Sequence, residues 1–221
     1  MNHNIAIDGP SGAGKSTIAK QVAEQLGFVY IDTGAMYRAM GLHFKGAEKW
    51  PETPEEKNML AETAGITLKH ADGVQQIFLN GTNVSTDIRT EECGMLASKV
   101  SAYPEVRVRM VAIQQEIAAS EDVVMDGRDI GTVVIPDAFL KIFLTANVKE
   151  RAIRRYLEMK EKGVNTDIRQ IEADLKQRDH QDSTRETSPL KQAADAVLLD
   201  STYLTIEEVT EKILQLYRDK L

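Results

Sequence analysis

Gly9-Pro-Ser-Gly-Ala-Gly14-Lys15-Ser16 stands between a short apolar run at 4–8 and a helical pattern over 15–26. The stretch fits GxxxxGK[ST] without departure, and both flanks are of the kind that pattern needs. Glycines let successive backbone N–H groups wrap phosphate oxygens, and the helix that follows turns its N-terminus toward the same negative charge. In this pattern Lys15 reaches the β- and γ-phosphates, and the Ser16 hydroxyl is a ligand for Mg²⁺. Gly9, Pro10, Ser11, Gly12, Ala13, Gly14, Lys15, Ser16 and Thr17 are therefore the candidate ATP loop, with Mg²⁺ as the accompanying cofactor. A glycine-rich turn with a solvated lysine is the bland alternative, and it leaves the strand and the helix unexplained. The loop alone does not separate GTPases, motor ATPases and small-molecule kinases, so function has to come from other segments.

Working outward, short apolar runs at 4–8, 28–32, 123–126, 141–146 and 196–200 predict strands, each too short for a helix and ending in a turn or polar residue. Helical patterns lie between them at 15–26, 35–46, 54–64, 91–119 (broken near Pro104), 148–162, 167–180 and 205–219. Thr205 followed by Glu208 is a capping-box signature at the start of the last. Strands alternating with helices predict an α/β fold, a parallel sheet covered on both faces. Residues 66–84 break the rhythm: Asp72-Gly73 and Asn80-Gly81 suit tight hairpin turns, so this stretch reads as a small antiparallel insert in one domain spanning 1–221.

The chain has 221 residues, 42% hydrophobic and 28% charged, enough for a sizeable core without metals or disulfides. Cys93 is the only cysteine, and His3, His43, His70 and His180 are too scattered for a zinc pair. A net charge of −7 argues against a general nucleic-acid binder. With no leader-like or membrane-spanning run, the expectation is a cytoplasmic protein with no membrane partner.

Two further segments sit where a doubly wound sheet presents its ligand crevice, beyond the carboxyl ends of strands. They are Asp32-Thr-Gly-Ala-Met-Tyr-Arg38 and Val123-Val-Met-Asp-Gly-Arg-Asp-Ile-Gly-Thr-Val-Val134. With the phosphate loop, with Ala97-Ser-Lys-Val-Ser-Ala-Tyr-Pro-Glu-Val-Arg107, with Arg178-Asp-His-Gln-Asp-Ser-Thr-Arg185 and with Val197-Leu-Leu-Asp-Ser-Thr202, the chain resembles bacterial-type cytidylate kinases. The resemblance runs in order along essentially the whole chain. It implies a three-layer P-loop kinase fold with a central parallel sheet, a small β-insert (about 66–90) and an arginine-rich lid (about 148–165). It implies ATP as donor and CMP or dCMP as acceptor; a monomer is expected, although the sequence does not fix the oligomeric state. By the same resemblance Arg38 and Arg128 grip the acceptor phosphate, and Ser98, Arg107 and Asp129 read the cytosine edge. Thr33 stands where a serine is common, and Tyr37, Arg178, Asp182 and Arg185 surround the acceptor's ribose and phosphate. Lys15, Arg128, Arg151 and Arg155, with Arg154 beside them, act on the transferred phosphoryl group. His180-Gln181 departs from the family, where more charge is common.

The residues themselves point the same way. Seven of the twelve arginines fall between Arg128 and Arg185 in an acidic chain. Arg151, Arg154 and Arg155 share a helix face at i, i+3, i+4, as do Arg178, Asp182 and Arg185 at i, i+4, i+7. Phosphoryl transfer needs positioning and positive charge more than covalent help, and the arginine fork binds phosphate oxygens in pairs. Crowded on one face, the lid arginines are expected to stand open until an anion joins them. Other readings stay open at single positions. An arginine stripe among glutamates is often a solvated helix face. Asp126 reads equally as a metal ligand or as a strand-ending carboxylate bonded to the phosphate loop. Asp8 reads as structural, Tyr37 alone as half-buried core, and Ser98 alone as a surface hydroxyl. The rival functions are another acceptor on the same fold, such as UMP or shikimate, and a nucleotide switch, against which no guanine-reading NKxD segment occurs.

Overall fold

A computed structural model describes residues 2–71, 74–161 and 163–221. They group into two compact units, Met1–Tyr30 with Glu121–Leu221, and Ile31–Ser120.

The first unit is built on a five-stranded sheet in the order β2-β6-β1-β7-β8. The strands are β1 (Ile5–Asp8), β2 (Val29–Asp32, whose last two residues begin the second unit), β6 (Val123–Gly127), β7 (Leu140–Thr145) and β8 (Val197–Asp200). β1 pairs in parallel with β6 and β7, and β7 with β8. Every residue of β1 is buried, as expected for a central strand covered on both faces. Alternation sends Ile5 and Ile7 into one apolar cluster with α1 (Lys15–Leu26) and α8 (Ile206–Lys220), through Ile18, Val22, Val209, Ile213 and Leu214. The capping box opens α8: Thr205 N donates to the Glu208 carboxylate at 2.8 Å, and Glu208 N to Thr205 Oγ1 at 3.2 Å. α6 (Val148–Glu161) and α7 (Ile168–Thr184) carry a separate small cluster of Ala152, Ile171 and Leu175, flanked by Val148, Tyr156 and Met159.

The second unit holds α2 (Thr33–Lys45), α3 (Pro54–Glu62), α4 (Glu91–Val100) and α5 (Pro104–Ser120), with the antiparallel sheet β3 (Ile66–Ala71), β4 (Val74–Leu79) and β5 (Thr82–Asn83). The expected insert is therefore present. Asn80 (φ 49°) and Gly81 (φ 83°) form the two-residue turn between β4 and β5, both in the left-handed region such a hairpin turn needs. The expected turn at Asp72-Gly73 lies outside the described residues. Pro104 opens α5, which splits the expected 91–119 stretch into two helices, since proline at a first turn lacks only an N–H that has no helical partner there.

Candidate active site

The phosphate loop leaves the central strand β1 and enters α1. Gly9 has φ +153°, and a Cβ there would meet the Leu144 carbonyl oxygen at 1.9 Å, so only glycine fits. Gly14 caps α1 in the left-handed conformation and offers no side-chain cap, which leaves the first N–H groups of the helix for a ligand. Lys15 is buried, and its Nζ donates to the Pro10 carbonyl at 2.8 Å. Burial, and next the Arg128 guanidinium, push its ammonium down to about 7, against Asp126, Asp182 and Asp8, which hold it up. An ammonium held this way is charged at a cost that an incoming phosphate removes.

Ser16 Oγ donates to one oxygen of Asp126 at 2.9 Å, and Tyr30 OH donates to the other at 2.9 Å. Asp126 thus orients the hydroxyl that the loop motif assigns to Mg²⁺. A hydroxyl and a carboxylate are hard oxygen donors, the kind magnesium takes. Among the described residues no group of three or more His, Cys, Asp or Glu could hold a metal.

Asp8 does more than close its strand. Its two carboxylate oxygens accept from Ile130 N and Gly131 N, each at 2.8 Å. It ties β1 to the start of the π-helical turn Ile130–Val134, directly after Arg128 and Asp129. Burial pushes the Asp8 carboxyl up to about 6, against the Gly131 and Ile130 amides, with Asp129 adding to the rise. The folded state therefore holds this proton more tightly than the unfolded chain does. The contribution to stability is full below pH 3.8 and is lost as pH rises through about 6. Asp8→Asn is accordingly expected to gain on wild type between pH 4 and pH 7, by up to about 3 kcal/mol less whatever the lost amide bond costs. Urea midpoints of both proteins at pH 4, 5.5 and 7 measure this. A difference that does not change with pH would show that Asp8 titrates like an ordinary carboxylate.

Four charged residues gather in the same unit. Arg128 Nε donates to Asp182 at 2.7 Å, and Arg185 lies 3.8 Å from Asp182 and 3.9 Å from Asp129. Asp129 and Asp182 are both buried. Burial alone would raise the Asp182 carboxyl, but Arg128, Arg178 and Arg185 outweigh it and hold it below the usual carboxylate range. Arg185 is not on the helical face with Arg178 and Asp182. It caps α7 in extended conformation (φ −63°, ψ 143°) and donates to the Ser188 carbonyl at 2.7 Å.

The lid arginines part company. Arg151 is buried and donates to Ala146, Ser11 and Asp179. Arg154 donates to the Ser201 carbonyl at 2.6 Å, and Arg155 forms a surface pair with Glu158 at 2.9 Å. Despite their shared spacing, the three guanidiniums meet different acceptors.

In the second unit, Asp32 caps α2 through Ala35 N at 2.8 Å, and its own N–H donates to Gln75 on β4 at 2.9 Å. Arg89 approaches the same carboxylate at 3.4 Å. That helix carries buried Thr33 and Tyr37 and half-buried Arg38. The Arg107 guanidinium lies 5.6 Å from the Tyr37 ring centre and donates to the Ser101 carbonyl at 3.3 Å. Ser101 Oγ in turn donates to the Ser98 carbonyl at 2.9 Å, so this unit brings Ser98, Arg107 and Tyr37 into one neighbourhood.

Cytidylate kinase is the family whose description matches residues 5–219. The chain belongs to that family. A cytidylate kinase of Caldicellulosiruptor bescii is 52% identical over 214 residues, covering 97% of this chain and 95% of that one. Another, from Lactobacillus gasseri, is 50% identical over 218 residues, covering 98% and 94%. A solved structure of an uncharacterized protein from Eubacterium ventriosum shares the fold, with a TM-score of 0.53 at 15% identity over 99% of each chain. The resemblance read from the sequence is thereby met, as is the α/β fold with its parallel sheet and β-insert.

Several site residues of this cytidylate kinase family member carried no local signal. Tyr30 shows one in hindsight: a tyrosine at an inward position of a strand needs a partner for its hydroxyl. Asp179 and Gln75 are ordinary polar residues until the fold brings their partners to them.

Proposed function

We propose that the protein transfers the γ-phosphoryl group of ATP to CMP or dCMP, giving ADP and the nucleoside diphosphate. The observation that carries this reading is the cluster of half-buried Arg128 and Arg185 around buried Asp129 and Asp182. Two of its members, Arg128 and Asp129, come directly before the turn that Asp8 ties to the phosphate-loop strand. Membership of the cytidylate kinase family supports it.

Loop amides from Gly9 to Thr17 and the Lys15 ammonium hold the donor phosphates. Ser16, oriented by Asp126, would hold Mg²⁺, which when bound neutralises charge on the β- and γ-phosphate oxygens. Arg128 and Arg185 hold the acceptor phosphate, with Asp182 fixing the Arg128 fork and Arg178 adding charge beside it. An acceptor phosphate oxygen attacks the γ-phosphorus in line: one P–O bond forms as the bond to ADP breaks, and the charge leaves on ADP. No general base is needed, because that oxygen is already anionic at neutral pH. By the family resemblance Thr33, Tyr37 and Arg38 serve sugar and phosphate, and Ser98 and Arg107 the base. Arg155, on the outer side of α6, is free to swing to the phosphoryl group by exchanging its Glu158 pair, a weak surface contact. The same reading carries a cytoplasmic monomer acting on free nucleotides. Among the described residues no helix is long and apolar enough to cross a membrane.

Turnover measured with CMP, dCMP, UMP, shikimate and no acceptor tests this. CMP and dCMP are expected to be turned over fastest, with ATP consumption nearly idle without an acceptor. Preference for UMP or shikimate would move the assignment to another acceptor. ATP hydrolysis indifferent to all of them would favour a nucleotide switch.

A further inference from the structure

The Arg151 guanidinium is held against the phosphate loop. Its Nε donates to the Ala146 carbonyl at 2.9 Å, where β7 ends. NH1 donates to the Ser11 carbonyl in the middle of the phosphate loop at 2.8 Å and to Asp179 Oδ1 at 3.2 Å; NH2 donates to Asp179 Oδ2 at 2.6 Å. Those four bonds engage four of the five N–H donors of a guanidinium. The Arg151 side chain is 6% exposed and that of Asp179 25%, so the paired fork sits largely away from water, where its geometry is best kept.

We propose that Asp179, acting through Arg151, is a positioning residue that sets the phosphate loop in its ATP-binding shape before nucleotide arrives. In a trans peptide the C=O and the next N–H point in opposite directions. Holding the Ser11 carbonyl from the α6 and α7 side therefore turns the Gly12 N–H to the other side of the loop, where a phosphate is to be met. Gly12 fits this arrangement closely. Its φ is +76°, and a Cβ there would stand 3.4 Å from Arg151 Cβ and 3.8 Å from Leu175 Cδ2, so both helices lie against the loop. The Arg151 bond to the Ser11 carbonyl ties that helix pair to the loop, and Asp179 fixes the guanidinium that makes it. α7 also carries Arg178 and Asp182, so the brace sets the loop against the helix that bears them.

The ATP arm of the test rests on the proposed function; the exchange arm does not. Hydrogen exchange of residues 9–16 is measured on ligand-free protein for wild type, Asp179→Ala, Asp179→Asn and Arg151→Ala. The surface variant Glu172→Ala, on α7, serves as control. Asp179→Ala is expected to speed exchange of the loop amides about tenfold or more, while Glu172→Ala leaves it unchanged. Steady-state kinetics should show the KM for ATP raised about five- to tenfold, with kcat changed by less than about twofold. The double variant Arg151→Ala/Asp179→Ala should be no worse than the single ones, because both remove the same brace. If Asp179→Ala does not fold, Asp179→Asn, which keeps the shape and loses the charge, gives the same readings at smaller size. Wild-type exchange and KM in the Asp179 variants, with a large fall in kcat for Arg151→Ala, would overturn the proposal and make Arg151 a phosphate ligand. Should wild type fail to use ATP at all, the functional reading fails while loop exchange still decides the brace.

Discussion

Lys15→Ala is expected to lower kcat by about 100-fold or more, because it removes a positive charge from the place where charge develops on the migrating phosphoryl group. The side chain is 6% exposed, and its ammonium is held by the Pro10 carbonyl within the loop itself. A preorganised charge of this kind acts in a water-poor site, where it is worth more than in bulk solvent. The same burial makes the variant easy to interpret. Burying the ammonium disfavours its charged form, so alanine relieves the folded state of that strain and should not lower its urea midpoint. Alanine at 15 removes the bond to the Pro10 carbonyl but leaves the loop its glycines and the Arg151 contact to Ser11. Turnover near the wild-type rate in a folded Lys15→Ala protein would take Lys15 out of the mechanism.

The second large effect concerns the choice of acceptor base. Asp129→Asn is expected to narrow the CMP-over-UMP ratio of kcat/KM by about 100-fold, mainly through lost activity on CMP. Cytosine offers an N4 amine, a donor, where uracil offers the O4 carbonyl, an acceptor. A carboxylate pairs with the first, whereas the second sets an acceptor against it, and two buried acceptors facing each other repel. Asp129 is 4% exposed, so water could not repair such a mismatch. Asparagine can turn its amide and donate to O4, which is why the ratio is the measurement that decides. The variant also leaves Arg185, 3.9 Å from Asp129, leaning more on Asp182, and that change should weaken both acceptors alike. Asp182→Asn supplies the contrast. Asp182 holds Arg128 at 2.7 Å, so its loss should lower kcat/KM for CMP and UMP by similar factors and leave the ratio in place. An unchanged ratio in Asp129→Asn would mean that Asp129 does not read the base.

The two effects differ in how much of their basis was legible in the sequence. The loop that carries Lys15 was legible whole, because eight contiguous residues and the strand and helix on either side define it. Asp129 was placed by resemblance, and its burial beside Arg185 came from the fold. Element boundaries were read well wherever period and punctuation agreed: the helix at 15–26 is α1 to the residue, and Thr205 with Glu208 opens α8 as the capping pattern implied. The Asn80-Gly81 turn followed from backbone conformations that those two residues adopt at little cost. In contrast, the helix expected to end near 180 runs to Thr184 and turns Arg185 off its face.

By itself, then, the sequence determined what depends on near neighbours along the chain: the alternation of strands and helices, the loop that only glycines can make, the caps and the hairpin turn. Hydrogen bonds and steric limits within a few residues decide those features, and they are present before any core forms. Only the tertiary structure decided the strand order and the destinations of the long polar side chains. Asp8 reaches amides at 130 and 131, Tyr30 reaches Asp126, and Arg151 reaches back to Ser11 and across to Asp179. A guanidinium or carboxylate goes to whichever partner the fold sets within hydrogen-bond range once water is excluded. Spacing along a helix puts Arg151, Arg154 and Arg155 on one face, but packing chose three different partners for them.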